Sequence, residues 1–266
     1  MKAAMRVVMQ ELVHTVERPW RIFNAFSPRR WQIFLGDLRA RVVVPNDWLK
    51  GDTAPGTRRR AYVTFQEYLD HQVSSLALID LSDYDKAFRP ALRERLERHQ
   101  IISRRGTSVL CLAARIGTEV KSFLDLGCFA VGMDLNDRAR NPWVLYGDFH
   151  DIQFADQSID LVYTNSLDHV YDVGRVIREV KRILKPGGIF VMEASVGEKH
   201  GANPGTYESF WWESPDQLAA IIEGHGFSHR LKDSFQIPWP GEMRVFTSSL
   251  EAAVPPAPRA GDRPSP

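Results

Sequence analysis

The sequence predicts an α/β fold, a mostly parallel sheet with helices on both faces, and three observations carry that prediction. From Val109 onward short apolar runs alternate with stretches of helical periodicity, the order expected of repeated βαβ units. Residues Val109 to Asp134, VLCLAARIGTEVKSFLDLGCFAVGMD, read as one such step: a buried strand, a tight turn at Arg115-Ile116-Gly117, a helix, and a second strand ending in an acid. The polar residues of interest fall at the C-terminal ends of the predicted strands, where sheets of this kind bind ligands. The turn sets backbone N–H groups at a helix N-terminus. Asp134 follows roughly 20 residues after the first strand, where a carboxylate reaches ribose hydroxyls.

Taken in order, the chain opens with its least regular part. Val7, Val8, Leu12, Val13 and Val16 recur near helical spacing and predict an amphipathic helix ended near Pro19. The stretch from Trp20 to Pro45, rich in aromatics and arginine, packs on the main domain, covers a pocket or rests on a membrane interface. Gly51 to Arg60 is loop-like and closes a largely helical appendage, assigned to residues 1–62.

The main domain is taken as residues 63–250. Phe65, Tyr68, Leu69, Gln72, Val73 and Leu76 mark one helical face, opened by a Thr64–Glu67 capping box. A second helix runs from Asp83 to His99. After the βαβ step, strands are expected at Trp143–Tyr146, Ile159–Thr164 and Ile189–Ala194. Val173, Val176, Ile177, Val180, Ile183 and Leu184 keep i, i+3, i+4, i+7 spacing, and that helix is expected to stop at the turn Lys185-Pro186-Gly187-Gly188. The connection from Val196 to Ser214 is long enough to mark a lid or binding loop. Ser214 opens a last helix, closed by Gly224, before strands near Phe227–Phe235 and Met243–Ser248. Residues 251–266, EAAVPPAPRAGDRPSP, have the composition of a disordered tail.

Composition narrows the function classes. A net charge of +1 over 266 residues argues against a dedicated nucleic-acid binder. Residues 1–60 hold twelve Lys/Arg against five Asp/Glu, net +7, so the remainder is net −6. That basic segment is a solvated face or a contact for an anionic substrate, a protein or a membrane surface. The two cysteines, Cys111 and Cys128, sit in apolar strand contexts. They fit buried thiols in a reducing, cytoplasmic compartment, and no Cys/His spacing resembles a metal site.

Four pieces stand in a recognisable order: VLCLAARIGTEV, FAVGMDLN, YGDFHDIQFADQSIDLVYTNSLDH and EVKRILKPGG. Over roughly residues 64–235 they resemble the class I S-adenosylmethionine-dependent methyltransferases, particularly the ubiquinone/menaquinone-type small-molecule group. The resemblance implies a Rossmann-like seven-stranded sheet, mostly parallel with the last strand antiparallel, and S-adenosylmethionine as cofactor. The first motif departs from the family's acid-x-Gly-x-Gly-x-Gly: Cys111 replaces the acid, Ala113 and Arg115 replace two glycines, and Gly117 is retained.

The cofactor offers an amino-acid zwitterion, a sulfonium, a ribose diol and an adenine. On the pattern of the family, Asp134 accepts from the ribose hydroxyls beside Leu135, and Asp148 accepts from the adenine amine with Phe149 against the ring. The turn Ala113, Ala114, Arg115 to Gly117 lies against the methionine end, where small residues matter most. Arg115 then points away or meets the methionine carboxylate, Glu119 supplies the missing acid to the amino group, and Asn165 hydrogen-bonds the same portion. His169 is the candidate base, oriented by Asp168, with His71, His150 and His200 as weaker candidates. Tyr207, Phe210, Trp211 and Trp212 line an acceptor pocket or form a packing cluster under the lid.

The activity this implies is methyl transfer to a small-molecule or glycan-type acceptor at a hydroxyl, with no nucleic acid as partner and no metal. Two other readings stand beside it. The altered first motif suits a degenerate fold acting as a binding or scaffold module. A nucleotide-dependent oxidoreductase is disfavoured by the missing GxGxxG and by LKPGG.

Overall fold

The computed structural model describes residues 47–76, 82–135 and 141–248. The helix expected before Pro19, the aromatic stretch up to Pro45 and the tail 251–266 lie outside the described residues. Seven strands make the main sheet: β3 (Ser108–Leu112), β4 (Phe129–Asp134), β5 (Val144–Tyr146), β6 (Ile159–Thr164), β7 (Leu184–Ser195), β9 (Phe227–Phe235) and β10 (Gly241–Ser248). Their order is β5-β4-β3-β6-β7-β10-β9. β3 through β7 pair in parallel, and β10 runs antiparallel to both its neighbours. The order reverses on either side of β3, and that switch point opens the crevice where the site lies.

Each face of the sheet is covered by helices whose apolar stripe the sequence spells out. On one face, α4 (Val173–Ile183) buries Val173, Val176, Ile177, Val180 and Ile183. Asp172 caps it by accepting from the Arg175 N–H. α5 (Pro215–Gly224) packs on the same side, held at its start by a Ser214–Gln217 capping box. On the other face, α2 (Ser82–Arg98) contributes Phe88, Leu92 and Leu96, and α3 (Thr118–Asp125) contributes Val120 and Phe123. The buried Arg95–Glu193 pair ties α2 to β7, with Nε–Oε1 at 2.8 Å and a further bond from the Tyr163 hydroxyl. α1 (Phe65–Leu76) carries Tyr68, His71 and Gln72, all buried. Its N-terminus is capped by Thr64, which accepts from the Glu67 N–H.

Two local expectations are revised. Lys185-Pro186-Gly187-Gly188 is not a separate turn: α4 passes straight into β7, and these residues bulge out of the strand between the Ile159–Leu184 and Leu161–Ile189 pairings. The Gly51–Arg60 segment is not all loop. β1 (Trp48–Lys50) and β2 (Thr57–Arg60) form a hairpin whose second strand pairs with β8 (Phe210–Trp212) in the long connection. The hairpin is invisible to periodicity because its partner lies about 150 residues away and three arginines occupy it. Arg60 is buried there, over the Trp48 ring, donating to the carbonyls of Gly205, Thr206 and Glu208. No described helix is long and apolar enough to cross a membrane.

Candidate active site

After β3 the chain turns through Ala113 to Gly117 into α3. Ala113, Arg115 and Gly117 hold φ of 53°, 40° and 75°, so the turn follows a glycine-type path with glycine at only one of the three positions. Such strain costs about 1–3 kcal/mol per residue and persists only where the surroundings impose it. Here the Ala114 N–H donates to the Met133 carbonyl at 3.1 Å and the Arg115 N–H to Asp134 Oδ2 at 2.9 Å. Gly132 lets β4 come this close, because a Cβ there would meet the Ala114 Cβ at 2.7 Å.

Two cavities flank the turn. The larger, about 540 Å³, has aromatic walls in Tyr84, Trp211, Trp212 and Trp239. At its base Glu119, which is buried, accepts from the Tyr84 hydroxyl at 3.2 Å and from Asn165 Nδ2 at 3.1 Å. Both partners are neutral, and burial pushes the Glu119 carboxyl up to about 7 against the opposing pull of these bonds. The smaller cavity, about 30 Å³, is a slot between Met133, Asp134, Leu135, Phe149 and Tyr68. Arg115 and His169 line both.

His169 has a fixed tautomer. Its Nδ1 lies 3.1 Å from Gln72 Oε1 and 3.2 Å from the Tyr207 carbonyl, both acceptors. Gln72 cannot be turned over, because its Nε2 already donates to the Tyr207 carbonyl and to Ser209 Oγ. Nε2 of His169 lies 3.4 Å from Arg115 Nη2, which can only donate. The proton therefore sits on Nδ1, and the Nε2 lone pair faces the Arg115 guanidinium at the wall shared by the two cavities. Burial, and then the Arg115 charge, lower the imidazole to about 4, so it is neutral at pH 7.

Residues 110–192 match the methyltransferase domain family. Over those residues the chain carries a methyltransferase domain. Sterol 24-C-methyltransferase erg6 of Aspergillus fumigatus is 30% identical to it over 118 residues, 38% of this chain and 31% of that protein. Demethylmenaquinone methyltransferase of Corynebacterium kroppenstedtii is 31% identical over 111 residues, 39% of this chain and 46% of that protein. The chain thus spans about a third to a half of the curated relatives it matches. Among solved structures, the [4+2]-cyclase SpnF superposes with a TM-score of 0.50 at 13% identity, covering 60% of this chain and 80% of that one, a likeness of fold alone.

Within the methyltransferase domain the predicted site residues are only partly gathered. Ala113, Ala114, Arg115, Glu119, Asn165, Asp168 and His169 line the larger cavity, and Asp134, Leu135 and Phe149 line the smaller. Gly117 shapes the turn without lining either. Asp148 lines neither: its Oδ1 accepts from both the backbone N–H and the Nδ1 of His150, at 2.9 and 2.7 Å. His150 in turn accepts at Nε2 from the Tyr171 and Asp172 N–H groups, so it is structural. His71 is equally committed, between the Tyr62 hydroxyl and the Thr206 carbonyl. His200 reaches the larger cavity from an exposed position.

Asp168 does not orient His169. Its Oδ1 stands 3.9 Å from Nε2, the wrong nitrogen, and hydrogen-bonds to nothing. Gln72 and the Tyr207 carbonyl hold the ring instead. The loop aromatics divide: Trp211 and Trp212 line the cavity, Phe210 belongs to the core, and Tyr207 stacks on His71 at 5.7 Å. Tyr84, Trp239 and Gln72 were not singled out by sequence, since each reads as an ordinary apolar-face or turn residue in its own segment.

Proposed function

We propose that the protein transfers a methyl group from S-adenosylmethionine to a small-molecule acceptor at a hydroxyl, with His169 as the base. The observation that carries this is the His169 tautomer: a neutral imidazole at the switch point, lining the aromatic-walled cleft, with an unprotonated Nε2 that becomes available to an acceptor once Arg115 swings aside. Glu119 fits the cofactor's amino group, because it is a buried carboxylate with no cation hydrogen-bonded to it. Asp134 and Phe149 would take the ribose and adenine, with Tyr68, Phe149 or Arg115 moving to widen their slot. When bound, the cofactor supplies a methyl group already activated on sulfur. The chain's own contribution is alignment within a desolvated cleft and removal of the hydroxyl proton by Nε2. Gln72 stabilises the resulting imidazolium through Nδ1–H.

We also propose a domain limit at 250/251, and a reducing cytoplasmic setting, supported by the two buried free thiols Cys111 and Cys128. The expected limit at 62/63 gives way, because β2 pairs with β8 and belongs with the main domain. The sterol and quinone chemistry in the relatives' names supports a small-molecule acceptor. A binding or scaffold role has one observation in its favour: Arg115 stands across the cleft with the nucleoside slot narrow behind it. Thermal shift with S-adenosylmethionine, S-adenosylhomocysteine and NAD separates the readings. Stabilisation by the first two supports methyl transfer, stabilisation by NAD alone an oxidoreductase, and no response a scaffold.

A further inference from the structure

Residues 1–60 are strongly basic, yet the cleft has the opposite character. The charged groups lining its larger cavity are three carboxylates, Glu119, Asp168 and Glu208, against the single guanidinium of Arg115. Glu119 is accounted for by the cofactor's amino group. Asp168 Oδ1 and Glu208 Oε2 are not: each is shut off from solvent and hydrogen-bonded to nothing in the protein. A buried acceptor left without a donor costs about 1–3 kcal/mol, and more when charged, so such atoms call for a partner from outside.

Three of the four wall aromatics have their donors spent. The Trp211 and Trp212 indole N–H groups are taken by the carbonyls of Ala202 and Ser195, leaving these residues as ring surface. Tyr84 spends its hydroxyl proton on Glu119 and lies parallel to Trp239, 6.0 Å between centroids. Ring surface and bare carboxylate oxygen together favour a cation that carries N–H donors. An anionic acceptor would meet two carboxylates, each with a guanidinium nearby but none hydrogen-bonded to the oxygens in question, in a low-dielectric space.

We propose that the acceptor is an amine-bearing molecule with an apolar or aromatic body, its ammonium held by the Asp168 and Glu208 carboxylates, which rotate their covered oxygens into the cavity they line. This rests on the cofactor reading above and sets the acceptor's charge class.

The test is calorimetric titration of the full chain saturated with S-adenosylhomocysteine, using tyramine, its neutral analogue tyrosol, and the carboxylate 3-(4-hydroxyphenyl)propionate. Tyramine is expected to bind about tenfold or more tighter than the carboxylate, with tyrosol between, the size of one charge-assisted hydrogen bond. Asp168→Asn and Glu208→Gln should each weaken tyramine by about fivefold or more. Retained S-adenosylhomocysteine affinity shows that the variants are folded. Preference for the carboxylate, failure of all three probes, or unchanged tyramine affinity in both variants overturns the inference while leaving the cofactor site intact. Failure of the wild type to bind S-adenosylhomocysteine defeats the cofactor reading instead, and the inference with it.

Discussion

Glu119→Gln should make the ligand-free protein more stable and the cofactor complex weaker. Burial raises the Glu119 carboxyl from an ordinary 4.5 to about 7. The folded state then holds a proton that the unfolded chain has released, so stability falls as pH rises from about 4.5 to about 7 and stays reduced above that. At about 1.4 kcal/mol per pH unit, the full loss is about 3 kcal/mol. Glutamine keeps a carbonyl oxygen able to accept from Tyr84 and Asn165, yet carries no charge to desolvate. At pH 8 the variant should therefore gain about 1–3 kcal/mol, a rise of roughly 3–10 °C in melting temperature for a domain of this size. At pH 4.5 the two proteins should melt together.

Binding should move the other way. A charged hydrogen bond to the amino group is worth about 1.5–3 kcal/mol, so S-adenosylhomocysteine affinity should fall about 10- to 150-fold. The assay is chemical or thermal denaturation from pH 4.5 to 8.5 alongside calorimetric titration. Parallel stability curves across that range would refute the raised carboxyl, and an undiminished affinity in the variant would refute the placement of Glu119 at the amino group.

Asp134→Ala should abolish S-adenosylhomocysteine binding measured by titration while the far-ultraviolet circular dichroism stays that of the wild type; wild-type affinity would remove Asp134 from the ribose site. His169→Ala should lower kcat by about 10²–10⁴-fold with cofactor affinity little changed, and full turnover in that variant would exclude it as the base. Gln72→Leu should lower kcat less than His169→Ala while nitrogen chemical shifts still report Nδ1–H, held by the Tyr207 carbonyl and Arg115; unchanged turnover would show that Gln72 does not support the imidazolium. Glu193→Ala leaves Arg95 charged and buried without its carboxylate. It should cost about 3–5 kcal/mol, a fall of roughly 10 °C or more in melting temperature, and a smaller loss would mean the pair is solvated.

What the sequence determined by itself is the architecture of the domain. Strand and helix periods are local, and burial acts on each segment through its own spacing: the five buried residues of α4 sit where their 3.6-residue repeat puts them. The Ser214 cap and the acid ending β4 were readable for the same reason, since each is a feature of a few consecutive residues. Glu119 was readable as a candidate substitute acid because Cys111 stands where the family pattern has one, and the structure shows it buried without a cation hydrogen-bonded to it.

Only the tertiary structure decided the cleft's chemistry. The His169 tautomer depends on a glutamine 97 positions earlier and on a backbone carbonyl 38 positions later. Asp148 was diverted to His150, and Asp168 faces Nε2 from 3.9 Å instead of supporting Nδ1. The arginines of β2, which composition assigns to a solvated face, include one buried staple across the loop carrying Glu208. Charge, tautomer and desolvation are set by neighbours in space, and the chain brings those neighbours together from segments whose own patterns carry no trace of the meeting.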